Sequence, residues 1–419
     1  MAAQPREAMR SAIAILFFLS LASAGTSQGL PEHLAKSAEL NPGVAARYAE
    51  FEAAMKRSAQ VRGLPDPSLS IGYFISPVET RIGPQRARFS LTQMFPWFGT
   101  LGAQAEVADR LAEAKYAAFL EARNELFFKV RAAYYPLYEL DRLIALERDD
   151  LVILKTYRAF ALARFESGGG AMVDVLRIDL MVNAETTAIE ILEERRKPLL
   201  ENFSRAVGYA DQVVVDVSDT LQLVDLRSEF STDSIATSPK LSELDRRAEA
   251  ALAQAEAARK MGLPRFGLGL DYVVVDERTD MDLPDNGRDA IMPMMTLSLP
   301  IYRNKYRSAV EEAQEMNRAI EAMRVQTDNE LHNAYETSYF EAHKAALNVQ
   351  LMDQQIAIAT QALDLLLSAY SNSGKELEEV LRMQEQVLTF RSMRLAELRM
   401  HHTAVAKLDH LTAKRIIAP

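Results

Sequence analysis

A chain of 419 residues, 48% hydrophobic and 25% charged, has the composition of folded protein, which excludes disorder and collagen-like fibre. Lys+Arg 48 against Asp+Glu 58 gives a net charge of −10, so no surface built for nucleic acid phosphates is expected. The absence of cysteine excludes disulfides, thiolate catalysis, Cys-based zinc sites and a lipidated N-terminal Cys.

At the N-terminus, Arg6 and Arg10 precede an apolar run over 12–21, and Ala22-Ser23-Ala24 supplies the small-x-small pattern of a cleavage site. Residues 1–24 are therefore expected to be a secretory signal; the alternative, a membrane anchor, is disfavoured because the run is too short to span hydrocarbon. No other stretch reaches about 18 apolar residues. A mean hydropathy of −0.11 argues against a helical membrane protein and leaves a membrane barrel open.

The remaining chain repeats itself in order. Pro42 opens a helical stretch ending at Gly63-Leu64-Pro65, and Pro239 opens one ending at Gly262-Leu263-Pro264. In the first half, strands are predicted at about 68–76 and 86–94, then a long helix at about 101–166 with a local bend at Pro136. The glycine break Ser167-Gly168-Gly169-Gly170 leads to Val175-Leu176-Arg177 and a helix over about 171–208. Residues 211–238 read as a connector. The second half places strands at about 265–275 and 291–300, a long helix at about 303–369, the break Ser371-Asn372-Ser373-Gly374, then Val380-Leu381-Arg382 within a last helix over about 375–413. The repeats are thus expected at 25–210 and 239–419 in a mainly α fold with a small β part. Length alone suggests about three domains; the duplication replaces that count.

Ala309, Ala313, Met316, Ile320, Met323, Thr327, Leu331, Ala334, Ser338 and Ala342 recur three or four apart, a seam of the coiled-coil kind rich in small residues. The strands alternate strictly. Leu69, Ile71, Tyr73 and Ile75 face away from Ser70 and Gly72, and Leu268, Leu270 and Tyr272 face away from Gly267, Gly269 and Asp271. Each strand is long enough to cross a bilayer when tilted. Two readings fit: hairpins covering a soluble core, or strands with one face in lipid. The rest of the chain is committed to its own helical seams and leaves nothing to cover the hairpins. Four strands cannot close a barrel, so a membrane reading requires several chains to share one.

Enzyme motifs are lacking. His33, His332, His343, His401, His402 and His410 form no zinc-protease or di-iron pattern, and adjacent His401 and His402 are expected on different helix faces. Gly267-Leu268-Gly269 lacks the third glycine of a dinucleotide site. Met292, Met294 and Met295 suit packing or lipid contact better than a soft-metal site. No catalytic residue, cofactor or metal site is expected.

The tandem order of helix, two strands, long helix and helix resembles the TolC family of outer-membrane efflux channels over essentially the whole chain. Carrying the resemblance are the strand exit Phe95-Pro96-Trp97-Phe98-Gly99, its counterpart Leu299-Pro300-Ile301-Tyr302, Leu64-Pro65-Asp66-Pro67 before the first strand, and the duplicated Val-Leu-Arg after each break. The Phe-Pro-Trp form is similar to the family's heavy-metal efflux branch. The resemblance implies a homotrimer held in outer-membrane lipid by one twelve-stranded barrel, continuing into a periplasmic helical barrel. Its implied partners are a periplasmic adaptor protein and an inner-membrane efflux pump. It further implies a periplasmic gate just after the second break, with Glu379 as the inward carboxylate, Glu378 or Asp174 as alternatives, and Arg382 as a cation that could salt-link a closed state. Adaptor contact would fall on the tips Gly168, Gly169, Gly170, Ser373 and Gly374, which are otherwise plain turn residues. Phe95, Pro96, Trp97 and Pro300 would turn strand into helix, with Trp97 either at the membrane edge or in a core. Some members carry a lipidated N-terminal Cys; its absence implies anchoring by the barrel alone. The opposing reading is a soluble periplasmic coiled-coil adaptor or scaffold. The exported substrate is not legible, because a wide duct discriminates weakly.

Overall fold

A computed structural model describes residues 29–210, 215, 217, 220–281, 283–373 and 377–413; the expected signal segment, part of the connector and Gly374 lie outside them. The fold is mainly helical with one small antiparallel sheet. Two compact units share the long helices: one comprises Met1–Pro42, Arg123–Thr232 and Ala334–Pro419, the other Gly43–Ala122 and Asp233–Asn333.

The second unit contains the sheet. The helical stretch that Pro42 opens is preceded by another: α1 (Leu30–Leu40) and α2 (Pro42–Arg62) are separate, because Pro42 drives Asn41 into an extended conformation with ψ 118°. Strands β1 (Ser68–Thr80) and β2 (Gly83–Phe95) form a hairpin longer than predicted. Pro77 does not end β1: the ladder breaks register between Tyr73 and Val78 and resumes, so the residue without an N–H sits in the irregularity. The long helix α3 (Thr100–Glu166) then runs unbroken through Pro136, followed by α4 (Met172–Val207) and the short α5 (Leu226–Glu229). In the second repeat come α6 (Pro239–Met261), β3 (Arg265–Val275), β4 (Ala290–Ser298), α7 (Arg303–Ser373) and α8 (Leu377–Leu411). β4 stops two residues before its predicted end, since Pro300 cannot donate to a ladder.

Among the described residues the sheet has the order β1-β2-β3-β4, every pair antiparallel. Its register lines up whole rows. Leu69, Leu91, Leu270 and Pro293 stand side by side on one face, as do Ile71, Phe89, Tyr272 and Ile291. Ser70, Ser90, Asp271 and Met292 form the matching row on the other. The apolar rows are the exposed ones: Ile75 is 93% exposed, Met295 76% and Ile71 68%, whereas Asp271 is fully covered and is hydrogen-bonded by Arg88 and Ser90. Met295 belongs to the apolar face, opposite Leu268, while Met292 and Met294 lie on the polar one, opposite Asp271 and Gly269. In the same unit α6 packs on the first part of α7 through Leu244, Ala251 and Ile320, and the Asn317 amide donates to the Ala248 carbonyl at 3.2 Å. The equivalent α2–α3 pair is tied by Lys115–Glu50 and Arg62–Asp109, both 2.9 Å.

The first unit is built around buried polar clamps. His401 Nδ1 lies 2.9 Å from the Ala342 carbonyl of α7, and Nε2 accepts the Val224 N–H of the connector at 3.0 Å. That pattern assigns the neutral ring with its proton on Nδ1. His402 is buried too, its ring 5.5 Å from Tyr135 of α3, so α8 is covered at both histidines. Burial holds both imidazoles below their usual range, His402 down to about 4. Nearby, Arg131 of α3 and Asp409 of α8 pair at 2.7 Å and are both buried. Among the described residues no helix is long and apolar enough to cross a membrane.

Candidate functional site

At the ends of the long helices, still within the first unit, α3, α4, α7 and α8 close around one apolar cluster. Leu154, Val175, Ile178, Leu363, Tyr370, Leu377, Val380 and Leu381 are all buried in it. The duplicated Val-Leu-Arg therefore has a packing meaning: Val175 and Val380 are each 1% exposed. The next residue breaks the symmetry, since Leu381 is buried while Leu176 is exposed.

The first break is a helix stop of the Schellman type. Gly168 takes φ +78°, its N–H bonds the Phe165 carbonyl at 3.0 Å, and the Gly169 N–H bonds the Arg164 carbonyl at 3.0 Å. Gly170 allows a close approach, because a Cβ there would stand 3.2 Å from the Phe165 nitrogen. Arg164 joins this tip to the end of α7: its Nε donates to the Gly169 carbonyl at 3.2 Å, its Nη1 to the Tyr370 carbonyl at 2.7 Å, and its guanidinium lies 4.6 Å from the Tyr370 ring centre. Sequence reasoning did not single out Arg164 or Tyr370. A basic residue in a last helical turn reads as a partner of the helix dipole, and nothing local says that it reaches a second hairpin. Ser373 is the last residue of α7.

The expected gate residues do not form one group within a protomer. Glu378 reaches across to Arg177 of α4 at 3.0 Å, whereas Glu379 pairs at 2.8 Å with Arg382 one turn along its own helix. Both pairs are exposed and individually weak. Asp174 sits in the first turn of α4, where a carboxylate suits the helix dipole, and forms no ion pair among the described residues. Asp174, Arg177, Glu378, Arg164 and Tyr370 line a cavity of about 550 Å³ beneath the glycines. Burial, aided by Asp174 and opposed by Arg164, holds the Tyr370 hydroxyl above its usual range.

Further along the same helices, Glu147, Asp150, Glu185 and Glu385 line a cavity of about 450 Å³. The Gln384 amide donates to Asp150 at 2.5 Å, and burial raises this carboxyl above its usual range. Glu185 is pushed up to about 8, first by burial and then by a hydrogen bond and charge shared with Glu147. Between its ordinary 4.5 and that value the folded protein holds a proton the unfolded chain has released, so stability falls as pH rises through this window. Glu185→Gln is accordingly expected to raise the thermal midpoint at pH 8 and to leave it unchanged near pH 4.5, as measured by calorimetry. Equal midpoints for both proteins at pH 8 would contradict it.

At the other site read from the sequence, the strand exits, Phe95 stacks on Phe266 at 5.3 Å and Phe98 packs 5.9 Å from the same ring. The Trp97 carbonyl accepts the Thr100 N–H, which starts α3 directly after Pro96. Trp97 is 40% exposed, so it is not buried in a core of its own chain. Pro300 follows β4 in a tight turn in which the Ile301 N–H bonds the Leu299 carbonyl.

Residues 231–413 match the model of the family described as outer membrane efflux protein. No curated protein matches the sequence. Solved structures align over nearly the whole chain. The outer-membrane channel OprN aligns with a TM-score of 0.72 and 16% identity, covering 91% of this chain and 89% of that one. CusC gives 0.72 and 14%, covering 93% and 95%, and the outer membrane protein VceC from Vibrio cholerae gives 0.70 and 16%, covering 91% and 95%. The second repeat is therefore similar to the outer membrane efflux protein family, and the chain shares the fold of these outer-membrane channels over more than nine-tenths of its length.

Proposed function

We propose that three copies of this chain form the outer-membrane duct of a three-part efflux system, a passive exit for cargo that an inner-membrane pump delivers through a periplasmic adaptor. The observation that carries the reading is the sheet, which exposes whole rows of large apolar side chains. Its apolar rows are exposed while the carboxylate of Asp271 on the opposite face is buried, and among the described residues the outer edges of β1 and β4 have no partner strand. Lipid satisfies the first feature and copies of the chain satisfy the second: three four-stranded sheets joined edge to edge make a closed barrel of twelve. A soluble adaptor would leave about a dozen large apolar side chains in water.

Membrane fractionation tests this directly. Detergent should be needed for extraction, and the protein should run as a heat-modifiable trimer; recovery as a soluble monomer would overturn the proposal.

The tips Gly168, Gly169, Gly170, Ser373 and Gly374 are assigned to adaptor contact, supported by the open space around Gly168, where a Cβ would meet no atom within 4 Å. Repeated three times about an axis, Asp174, Glu378 and Glu379 would crowd like charges at the mouth and favour cations. Arg382 already offsets Glu379, so in planar bilayers Asp174→Asn should lower cation selectivity more than Glu379→Gln, and Arg382→Gln should raise it. Unchanged selectivity in all three would remove the acidic mouth. A wide duct discriminates weakly, so choice of cargo falls to the pump.

A further inference from the structure

Where the strands pass into helices, a cavity of about 630 Å³ opens within the unit that holds the sheet. Its walls come from the ends of both repeats: the approach to β1, the exit from β2, the α6–β3 turn and the start of α7. Against the overall charge of −10, the lining carries three cations, Lys260, Arg265 and Lys305, and one carboxylate, Asp66. Lys260 has only a long 3.9 Å contact with Glu256, and neither Arg265 nor Lys305 forms an ion pair among the described residues. Trp97 and Tyr306 complete the wall, and the Lys305 ammonium stands 5.8 Å from the Tyr306 ring centre. Gly99, with φ +78°, makes room for Lys260: a Cβ there would stand 3.1 Å from its ammonium.

Three features on one wall converge on a ligand chemistry. Two unpaired cations and a third held only by a long contact, set against one carboxylate, call for an anion, and phosphate is the anion carried at a membrane edge. A tryptophan and a tyrosine beside the end of an exposed apolar sheet are the side chains that settle at headgroup depth. The volume lies in the range of small-molecule sites. We infer that this cavity binds the phosphate of an anionic phospholipid in the leaflet nearest the helices. The inference rests on the membrane reading above.

Trp97 is the only tryptophan of the chain, so its fluorescence reports on this wall alone. The detergent-solubilised full chain is titrated with dioctanoyl phosphatidylglycerol, dioctanoyl phosphatidylcholine and inorganic phosphate. Phosphatidylglycerol should change the Trp97 emission saturably; phosphatidylcholine should not. The affinity should fall roughly fivefold for each cation removed by Lys260→Gln, Arg265→Gln and Lys305→Gln. Asp66→Asn should bind severalfold more tightly, and it decides the matter if the combined variant does not assemble. Equal responses to the two lipids, saturation by inorganic phosphate at the same concentration, or an unchanged affinity in Asp66→Asn would overturn the lipid site. Detergent dependence and trimer mobility of the same preparation report separately on the membrane reading, so the two can fail independently.

Discussion

Asp409→Leu should destabilise the protein by about 3–5 kcal/mol, because it strands Arg131 inside the helical unit without its carboxylate. The two side chains meet at 2.7 Å and are 8% and 4% exposed, so water cannot take the place of the lost partner. A second link between the same helices is the Asn124 amide, which donates to the His410 carbonyl at 2.6 Å. Removing both charges is a different matter. Arg131→Met combined with Asp409→Leu spares the desolvation of two ions and should recover most of the loss. Chemical unfolding in detergent, followed by far-UV circular dichroism, measures both; a double variant as unstable as the single one would show that the pair does more than neutralise itself.

The second large effect concerns the two faces of the sheet. Leu270→Arg puts a charge in the row Leu69, Leu91, Leu270 and Pro293, which the proposed function places against lipid, where a cation near the bilayer midplane costs about 2–4 kcal/mol. Met292→Arg introduces the same side chain one residue from that row but on the opposite face, directly across from the Asp271 carboxylate. The first variant should yield little heat-modifiable trimer in the outer-membrane fraction, and the second should yield wild-type amounts. If both were depleted equally, the exposed apolar face would owe its character to something other than lipid.

Much of the architecture was legible because two periods dominate this sequence. The three-and-four spacing of small residues from Ala309 onward marks a helix face, and strict alternation in β1 and β3 marks a sheet with unlike faces. Duplication let each half check the other. The prolines act differently along the chain, for a physical reason. Pro42 and Pro300 stop their elements, whereas Pro77 and Pro136 do not. A ladder irregularity absorbs the first of the latter pair, and the 67-residue helix α3 continues through the second.

The candidate site was legible only in part. Glu378, Glu379, Arg382 and Asp174 could be placed near the breaks, yet nothing in their spacing distinguishes a carboxylate that turns to its own helix, as Glu379 does to Arg382, from one that crosses to another, as Glu378 does to Arg177. Arg164, which binds the two tips together, carried no signal at all.

What the sequence determined by itself is therefore the kind and order of the elements, which face of each is apolar, and the inference that four strands so patterned need further copies. Those properties depend on neighbours within a few residues. Tertiary structure alone decided the clamps: Arg131 meets Asp409 across 278 positions of chain, and His401 accepts from Val224 across 177. A periodic helix presents the same apolar face at every turn, so its pattern gives orientation without register. Only packing of the helices selects which turn of α8 lies beside which turn of α3, and with it which buried polar groups find partners.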